Sequence, residues 1–103
     1  MGNVIALGCG LVGHFVIERL LQAGHNLVVI DLTIPESLKA NPMVEAMEGD
    51  ALLRIKSLKP NQTVVNMLPG RIGDLVRTPL LEGGHNIVDL AFTAEDPHRH
   101  QSL

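Results

Sequence analysis

The chain has 103 residues, which is enough for one domain with one hydrophobic core and too few for two. Apolar residues make up 46% and aromatic residues 2%, without Trp or Tyr, so the core has to be aliphatic. A net charge of −3 without a basic cluster argues against nucleic acid as a partner, and a single cysteine excludes an internal disulfide. The first apolar run begins almost at the N-terminus, which leaves no room for a signal peptide, and no run reaches the roughly 18 residues of a membrane span. We therefore expect a cytoplasmic protein without membrane contact.

Five short apolar segments, each bounded by turn residues, predict β-strands at 3–7, 27–31, 43–47, 63–67 and 86–90. Helical segments are predicted between them at 11–23, 36–40, 51–58 and from about 72 onwards. The alternation predicts right-handed crossovers and an α/β fold with a doubly wound parallel sheet in the order 3-2-1-4-5. We expect a Rossmann-like dinucleotide-binding domain over residues 1–97 and a polar tail over 98–103.

Three of the helical segments carry more detailed predictions. In the first, we expect the buried face to consist of Val12, Phe15, Val16 and Leu20. Asp50 is placed to cap the segment 51–58, whose buried side we assign to Leu52, Ile55 and Leu58 or Leu53. Because Pro79 in a helix interior costs a hydrogen bond and clashes with the preceding turn, we expect the last helix to break there. Thr78 would then cap a new helical turn.

The first strand runs directly into the pattern G-x-G-x-x-G, formed by Gly8, Gly10 and Gly13. In a strand, turn and helix arrangement, Gly8 allows the sharp turn, Gly10 lets a pyrophosphate approach the backbone, and Gly13 lets the helix pack close to the sheet. The N–H groups at the start of the helix, including those of Leu11 and Val12, are unpaired and attract a phosphate. The alternative is a glycine-rich turn without a ligand.

Asp31 ends the second strand, where a carboxylate can accept hydrogen bonds from both hydroxyls of an adenosine ribose and repel a 2′-phosphate. Leu32 and Thr33 follow it, instead of Arg or Lys, so we expect NAD as the cofactor in preference to NADP. The alternative for Asp31 is a solvated residue at the strand end. Parallel sheets bind ligands at this carboxyl edge, where strands one and four diverge.

The second half of the chain carries more specific motifs, at residues 65–73, 86–92 and 95–97. Together with the glycine motif, they resemble the nucleotide-binding domain of the saccharopine dehydrogenase family. The resemblance implies an NAD(P)-dependent oxidoreductase that acts at a carbon–nitrogen bond of an amino-acid-derived substrate. It also implies a second, substrate-binding domain beyond this chain, so we assign no catalytic residue.

The same resemblance extends the predicted cofactor site beyond Asp31. It places Asp50, with its neighbour Ala51, beside the adenine amino group, although a plain helix cap is an equal alternative for Asp50. It places Leu68 and Pro69, after Met67, beside the nicotinamide ribose, against the alternative of a simple turn at the strand end.

Five further residues were considered as functional groups. Asp89 either lies near the nicotinamide or makes hydrogen bonds at its strand end. Cys9 is favoured as a small packing residue over a thiol with a lowered pKa. His14 is expected on a helix surface, and His98 and His100 lack a third ligand, so no metal site is expected.

Two other functions remain open. The turn at Gly8 and the segments 24–25 and 49–51 also resemble the nucleotide-sensing domains that gate potassium transport. This regulatory function ranks second because the segments 68–70 and 88–89 favour the enzyme family. The third alternative is a fold kept for assembly only. A homodimer is expected because an isolated sheet has exposed edges.

Overall fold

The computed structural model describes residues 3–90, of which residues 11 and 12 are described by their backbone alone. Five parallel strands form one sheet in the order β3-β2-β1-β4-β5, which confirms the predicted architecture. The strands are β1 (Asn3–Leu7), β2 (Asn26–Asp31), β3 (Val44–Glu48), β4 (Thr63–Asn66) and β5 (Asn86–Asp89). The helices are α1 (Leu11–Gln22), α2 (Glu36–Lys39), α3 (Ala51–Arg54), continued by a 3-10 turn (Ile55–Ser57), and α4 (Gly70–Glu82).

The central strand β1 is buried on both faces, and its side chains alternate between two aliphatic clusters. Val4 and Ala6 belong to the cluster that includes residues of α1 and α2, whereas Ile5 and Leu7 belong to the cluster that includes residues of α3 and α4. This division follows from the crossovers, because strands on either side of β1 are reached over opposite faces of the sheet.

The predicted buried face of α1 is partly wrong. Phe15 is 63% exposed, and the fully buried residue is Ile17. The reason is that Gly13 faces the sheet, and Ile17 lies one helical turn further along the same face. The ring of Phe15 instead makes a cation–π contact with the guanidinium of Arg19, whose Cζ lies 5.7 Å from the ring centroid.

The predicted break at Pro79 is also wrong, because α4 continues through it from Gly70 to Glu82. An interior proline costs about 3 kcal/mol. Val76 and Leu80 are fully buried against the sheet, and each contributes roughly 1.5–3 kcal/mol, which offsets this cost. The helix therefore keeps its course, and Thr78 lies inside it instead of capping a new turn.

The remaining boundaries differ from the predictions by small amounts. The third strand is displaced by one residue, and the predicted helix 51–58 is a single turn of α-helix followed by the 3-10 turn. The buried side of this segment is as predicted for Ile55, which is buried, and for Leu52 and Leu58, which pack against the same cluster. Ala51 is also buried, whereas the alternative Leu53 is exposed. No helix in residues 3–90 combines the length and the apolar character needed to cross a membrane. The predicted domain limits and the tail 98–103 extend outside the described residues and stay predictions.

Candidate functional site

The candidate site lies at the carboxyl edge of the sheet, between the loops that follow β1 and β4. These two strands are neighbours, with Leu7 paired to Asn66. The chain leaves β1 towards α1 on one face and leaves β4 towards α4 on the other. Parallel sheets of this topology usually bind ligands where two such crossovers diverge.

Two glycines at the turn from β1 into α1 are favoured by the backbone geometry. Gly8 has a φ of +95° and donates its N–H to the carbonyl of Ile30 at 2.9 Å, and an added Cβ would lie in tight contact, 3.1 Å, with the carbonyl oxygen of Met67. A Cβ on Gly13 would lie 2.8 Å from the carbonyl oxygen of Gly8. The start of α1 is thus packed directly onto the turn.

Gly10 differs from these two glycines, because neither its conformation nor the protein's own packing requires it. Its φ of −65° is available to any residue, and an added Cβ would meet no protein atom within 4 Å. Gly10 precedes α1, which has no side-chain cap and no acidic residue in its first turn. The first N–H groups of α1, those of Leu11, Val12 and Gly13, have no carbonyl partner within the helix. The space beside Gly10 is open, so an anion could approach the positive N-terminal end of α1 there.

Asp31, half-buried at the end of β2, is bound to this loop. Its Oδ2 accepts a hydrogen bond from the backbone N–H of Cys9 at 2.8 Å, and its Oδ1 accepts one from the N–H of Leu32 at 2.7 Å. The thiol of Cys9 lies 3.3 Å from both Asp31 Oδ2 and the carbonyl oxygen of Thr33. The carboxylate is thus held at the junction of the glycine-rich loop and the second strand.

Cys9 is a buried packing residue with a protonated thiol. Burial, the hydrogen bond and the negative charge of Asp31, and the charge of Glu48 together raise the pKa of Cys9 to about 12. Burial and the neighbouring carboxylates thus favour the packing role over a thiol with a lowered pKa.

A crevice of about 270 Å³ adjoins the loop. It has carboxylates along one edge and an apolar wall. It is lined by Asp31, Leu32, Gly49, Asp50, Ala51, Leu68, Pro69 and Ile72. The structure therefore brings together six of the predicted cofactor-binding residues from three separate parts of the chain. The sequence prediction did not include Ile72. Its apolar side chain is 44% exposed in the first turn of α4, and this exposure marks it as a residue that could contact a ligand. Larger cavities of about 330 and 370 Å³ lie at the amino ends of β1, β2 and β3, away from the predicted residues.

The remaining predicted residues have structural contacts. Asp50 caps α3, since its Oδ1 accepts a hydrogen bond from the N–H of Leu52 at 2.9 Å. Met67 packs beside the loop, and its Cε would lie 3.7 Å from a Cβ on Gly13. His14 pairs with Glu18 on the surface of α1 at 3.0 Å.

A buried amide, absent from the sequence predictions, fixes the Leu68 turn. Asn66 is fully buried; its Nδ2 donates to the carbonyl of Gly73 and to Asp89 Oδ1, both at 3.0 Å, and its Oδ1 accepts from the N–H of Leu68 at 3.3 Å. The other carboxylate oxygen of Asp89 accepts from Arg77 at 3.2 Å. Asp89 thus makes the hydrogen bonds expected of a strand end. Among residues 3–90, no cluster of three His, Cys, Asp or Glu could hold a metal, and His98 and His100 lie outside this part of the chain.

No family model matches the chain, and no curated protein matches it. Among solved structures, it resembles the C-terminal domain of Kef from Shewanella denitrificans in its AMP-bound form, with a TM-score of 0.62 and 22% sequence identity. The similarity covers 84% of this chain and 57% of that one, so the chain spans little more than half of that structure's length. At this identity the similarity establishes the fold.

The predicted membership of the saccharopine dehydrogenase family is wrong, and with it the predicted oxidoreductase activity. Among solved structures the chain resembles the Kef domain, and no family model matches it. The motifs behind the prediction have a structural explanation. Asn66 and Asp89 bond to each other and tie the ends of β4 and β5 together, a need that does not depend on the reaction of any enzyme.

Proposed function

We propose that the chain is a nucleotide-sensing regulatory domain of a potassium-transport system, and that it binds an adenine nucleotide at the carboxyl edge of its sheet. The observation that carries this proposal is Gly10. Since the protein's own conformation and packing do not require a glycine there, a ligand that approaches the backbone explains it best. The AMP bound to the Kef domain supports the same ligand class.

Each part of AMP has a matching group in the described residues. The phosphate fits the unpaired N–H groups at the start of α1. The ribose hydroxyls fit the Asp31 carboxylate, which faces both the loop and the crevice. The adenine fits the apolar wall formed by Leu68, Pro69 and Ile72, with Asp50 at its edge. Asp31 belongs to the crevice lining and is hydrogen-bonded to the loop, so a ribose at Asp31 would connect the phosphate subsite to the adenine subsite.

We propose AMP, or the AMP half of NAD, as the ligand, with NADP disfavoured. A 2′-phosphate on the ribose would lie beside the Asp31 carboxylate, and the two negative charges would repel each other. Asp31 and Asp50 both accept hydrogen bonds from backbone N–H groups, which suits them to a binding role. The site then senses the nucleotide without transforming it.

In this function the partner is a membrane transporter, and the domain lies on the cytoplasmic side. This partner differs from the sequence prediction, which was a protein without membrane contact. Support comes from the similarity to the Kef domain and from the segments 24–25 and 49–51, which favour the sensing function in the sequence.

Calorimetric titration with AMP, NAD and NADP tests the binding part of the proposal. We expect AMP and NAD to bind and NADP to bind more weakly. Asp31→Ala should lose one charge-assisted pair of hydrogen bonds, about 1.5–3 kcal/mol, which is roughly a 10- to 150-fold weaker affinity for AMP. Glu82→Gln is the matched control, because Glu82 is exposed at the opposite end of α4. An unchanged affinity in Asp31→Ala, or a preference for NADP, would contradict the proposed site.

Potassium flux tests the regulatory part. In cells that express the natural gene, the rate of potassium loss should depend on AMP or NAD levels, and the Asp31→Ala gene should remove that dependence. Binding without any effect on potassium flux would leave a nucleotide-binding domain but overturn its assignment to potassium transport.

A further inference from the structure

Asp31 connects the ribose position to the phosphate loop through a backbone contact. We propose that Asp31 is also a positioning residue, whose carboxylate holds the glycine-rich loop in its phosphate-binding shape. The hydrogen bond from the Cys9 N–H to Asp31 Oδ2, at 2.8 Å, joins residues that are 22 positions apart in the sequence. The inference rests on the proposed function and adds a second role for a residue of the same site.

The loop depends on the end of β2 for its shape. Cys9 lies between Gly8 and Gly10, and glycines restrict the backbone less than any other residue. Two hydrogen bonds to consecutive residues of β2 compensate for this freedom. The Gly8 N–H donates to the Ile30 carbonyl at 2.9 Å, and the Cys9 N–H donates to the Asp31 carboxylate. Without the second bond, the loop has to be ordered when the ligand binds, and this ordering reduces the affinity.

The carboxylate has enough acceptor sites for both roles. Its two oxygens offer about four lone-pair positions. The N–H groups of Cys9 and Leu32 occupy one position each. The Cys9 thiol has one proton and two acceptors at 3.3 Å, so when it donates to Thr33 the carboxylate keeps two positions for the two ribose hydroxyls.

The comparison of Asp31→Asn with Asp31→Ala isolates the positioning role. Both variants remove the negative charge, but asparagine keeps one acceptor oxygen, which can accept from the Cys9 N–H when the NH2 group faces the exposed Leu32 N–H. The probe is 2′,3′-dideoxy-AMP, which lacks the hydroxyls that Asp31 would otherwise bind. We expect Asp31→Ala to bind this probe about 2- to 10-fold more weakly than Asp31→Asn, the effect of one neutral hydrogen bond. Equal affinities would overturn the inference and leave Asp31 with the role of a ribose acceptor only.

Amide hydrogen exchange tests the same contact without any nucleotide. The Cys9 amide should exchange slowly in the wild-type chain and in Asp31→Asn, and at least threefold faster in Asp31→Ala, while the Val64 amide in the core of the sheet stays unchanged in all three. An equally slow Cys9 amide in Asp31→Ala would overturn the positioning role. If the wild-type chain binds neither AMP nor NAD, the proposed function fails, and the Cys9 exchange rates still decide whether Asp31 holds the loop.

Discussion

Gly10→Ala should weaken nucleotide binding while leaving the stability of the domain nearly unchanged. Alanine can adopt the φ of −65° and ψ of −164° found at Gly10, and its Cβ would meet no protein atom within 4 Å. Loss of backbone freedom in the unfolded chain stabilises the variant by about 0.4–1 kcal/mol. Alanine is a poorer helix N-cap than glycine by a similar amount. The free energy of unfolding should therefore change by less than about 0.5 kcal/mol, as measured by urea denaturation.

The effect on binding should be much larger. The added methyl group projects into the open space from which a phosphate would reach the first N–H groups of α1. Losing one charge-assisted hydrogen bond costs about 1.5–3 kcal/mol, so the Kd for AMP should rise roughly 10- to 150-fold in a calorimetric titration. A Gly10→Ala variant that binds AMP with wild-type affinity would refute the placement of the phosphate on this loop.

Three further predictions concern the stability of the fold. Gly13→Ala places a Cβ 2.8 Å from a backbone carbonyl oxygen, so the free energy of unfolding should fall by about 1–3 kcal/mol in urea; an unchanged value would mean that the loop yields freely. Leu80→Ala removes a fully buried side chain and should cost about 2–5 kcal/mol in the same assay, while the folded fraction keeps its affinity for AMP. The N–H of Ile34 and the ammonium of Lys39 lower the pKa of Glu48, so its contribution to stability is complete above the usual value of about 4.3 and is lost as the pH falls towards the lower folded value. Glu48→Gln should consequently make the free energy of unfolding less dependent on pH in the acid range. An unchanged pH dependence would exclude a contribution of this ion pair to stability.

The sequence was sufficient for the sheet order because each step is a local pattern with few alternatives. Short apolar runs predict buried parallel strands, right-handed crossovers limit the possible arrangements, and the glycine motif after the first strand favours the order 3-2-1-4-5. The face of α1 was not predictable in the same way. Phe15 and Ile17 lie on adjacent apolar stripes of one helix, and the contact between Gly13 and the Gly8 turn decides between them. That contact is tertiary, and helical periodicity contains no information about it.

The candidate site shows the same division. The ends of strands could be located, so Asp31, Asp50 and Leu68 could be predicted to meet at one edge. Their hydrogen bonds could not, because the bond between Cys9 and Asp31 depends on the conformation of a glycine-rich loop. The family prediction failed for a related reason. The motif behind that prediction includes Asn66, whose side chain is hydrogen-bonded to Leu68, Gly73 and Asp89. A motif in the sequence does not distinguish such a structural role from a role in catalysis.

The charges around the crevice bear on which adenine nucleotide the proposed site would sense. Its eight lining residues include two carboxylates, Asp31 and Asp50, and no basic side chain. Arg54, which packs on Gly49, donates both Nε and Nη2 to the carbonyl of Glu48, at 3.1 and 2.7 Å, and is thereby directed towards β3. A single phosphate can be held by the N–H groups of α1 alone. Each additional phosphate adds negative charge near two carboxylates, and no basic side chain is among the described residues that line the crevice, so the proposed site should favour AMP over ATP.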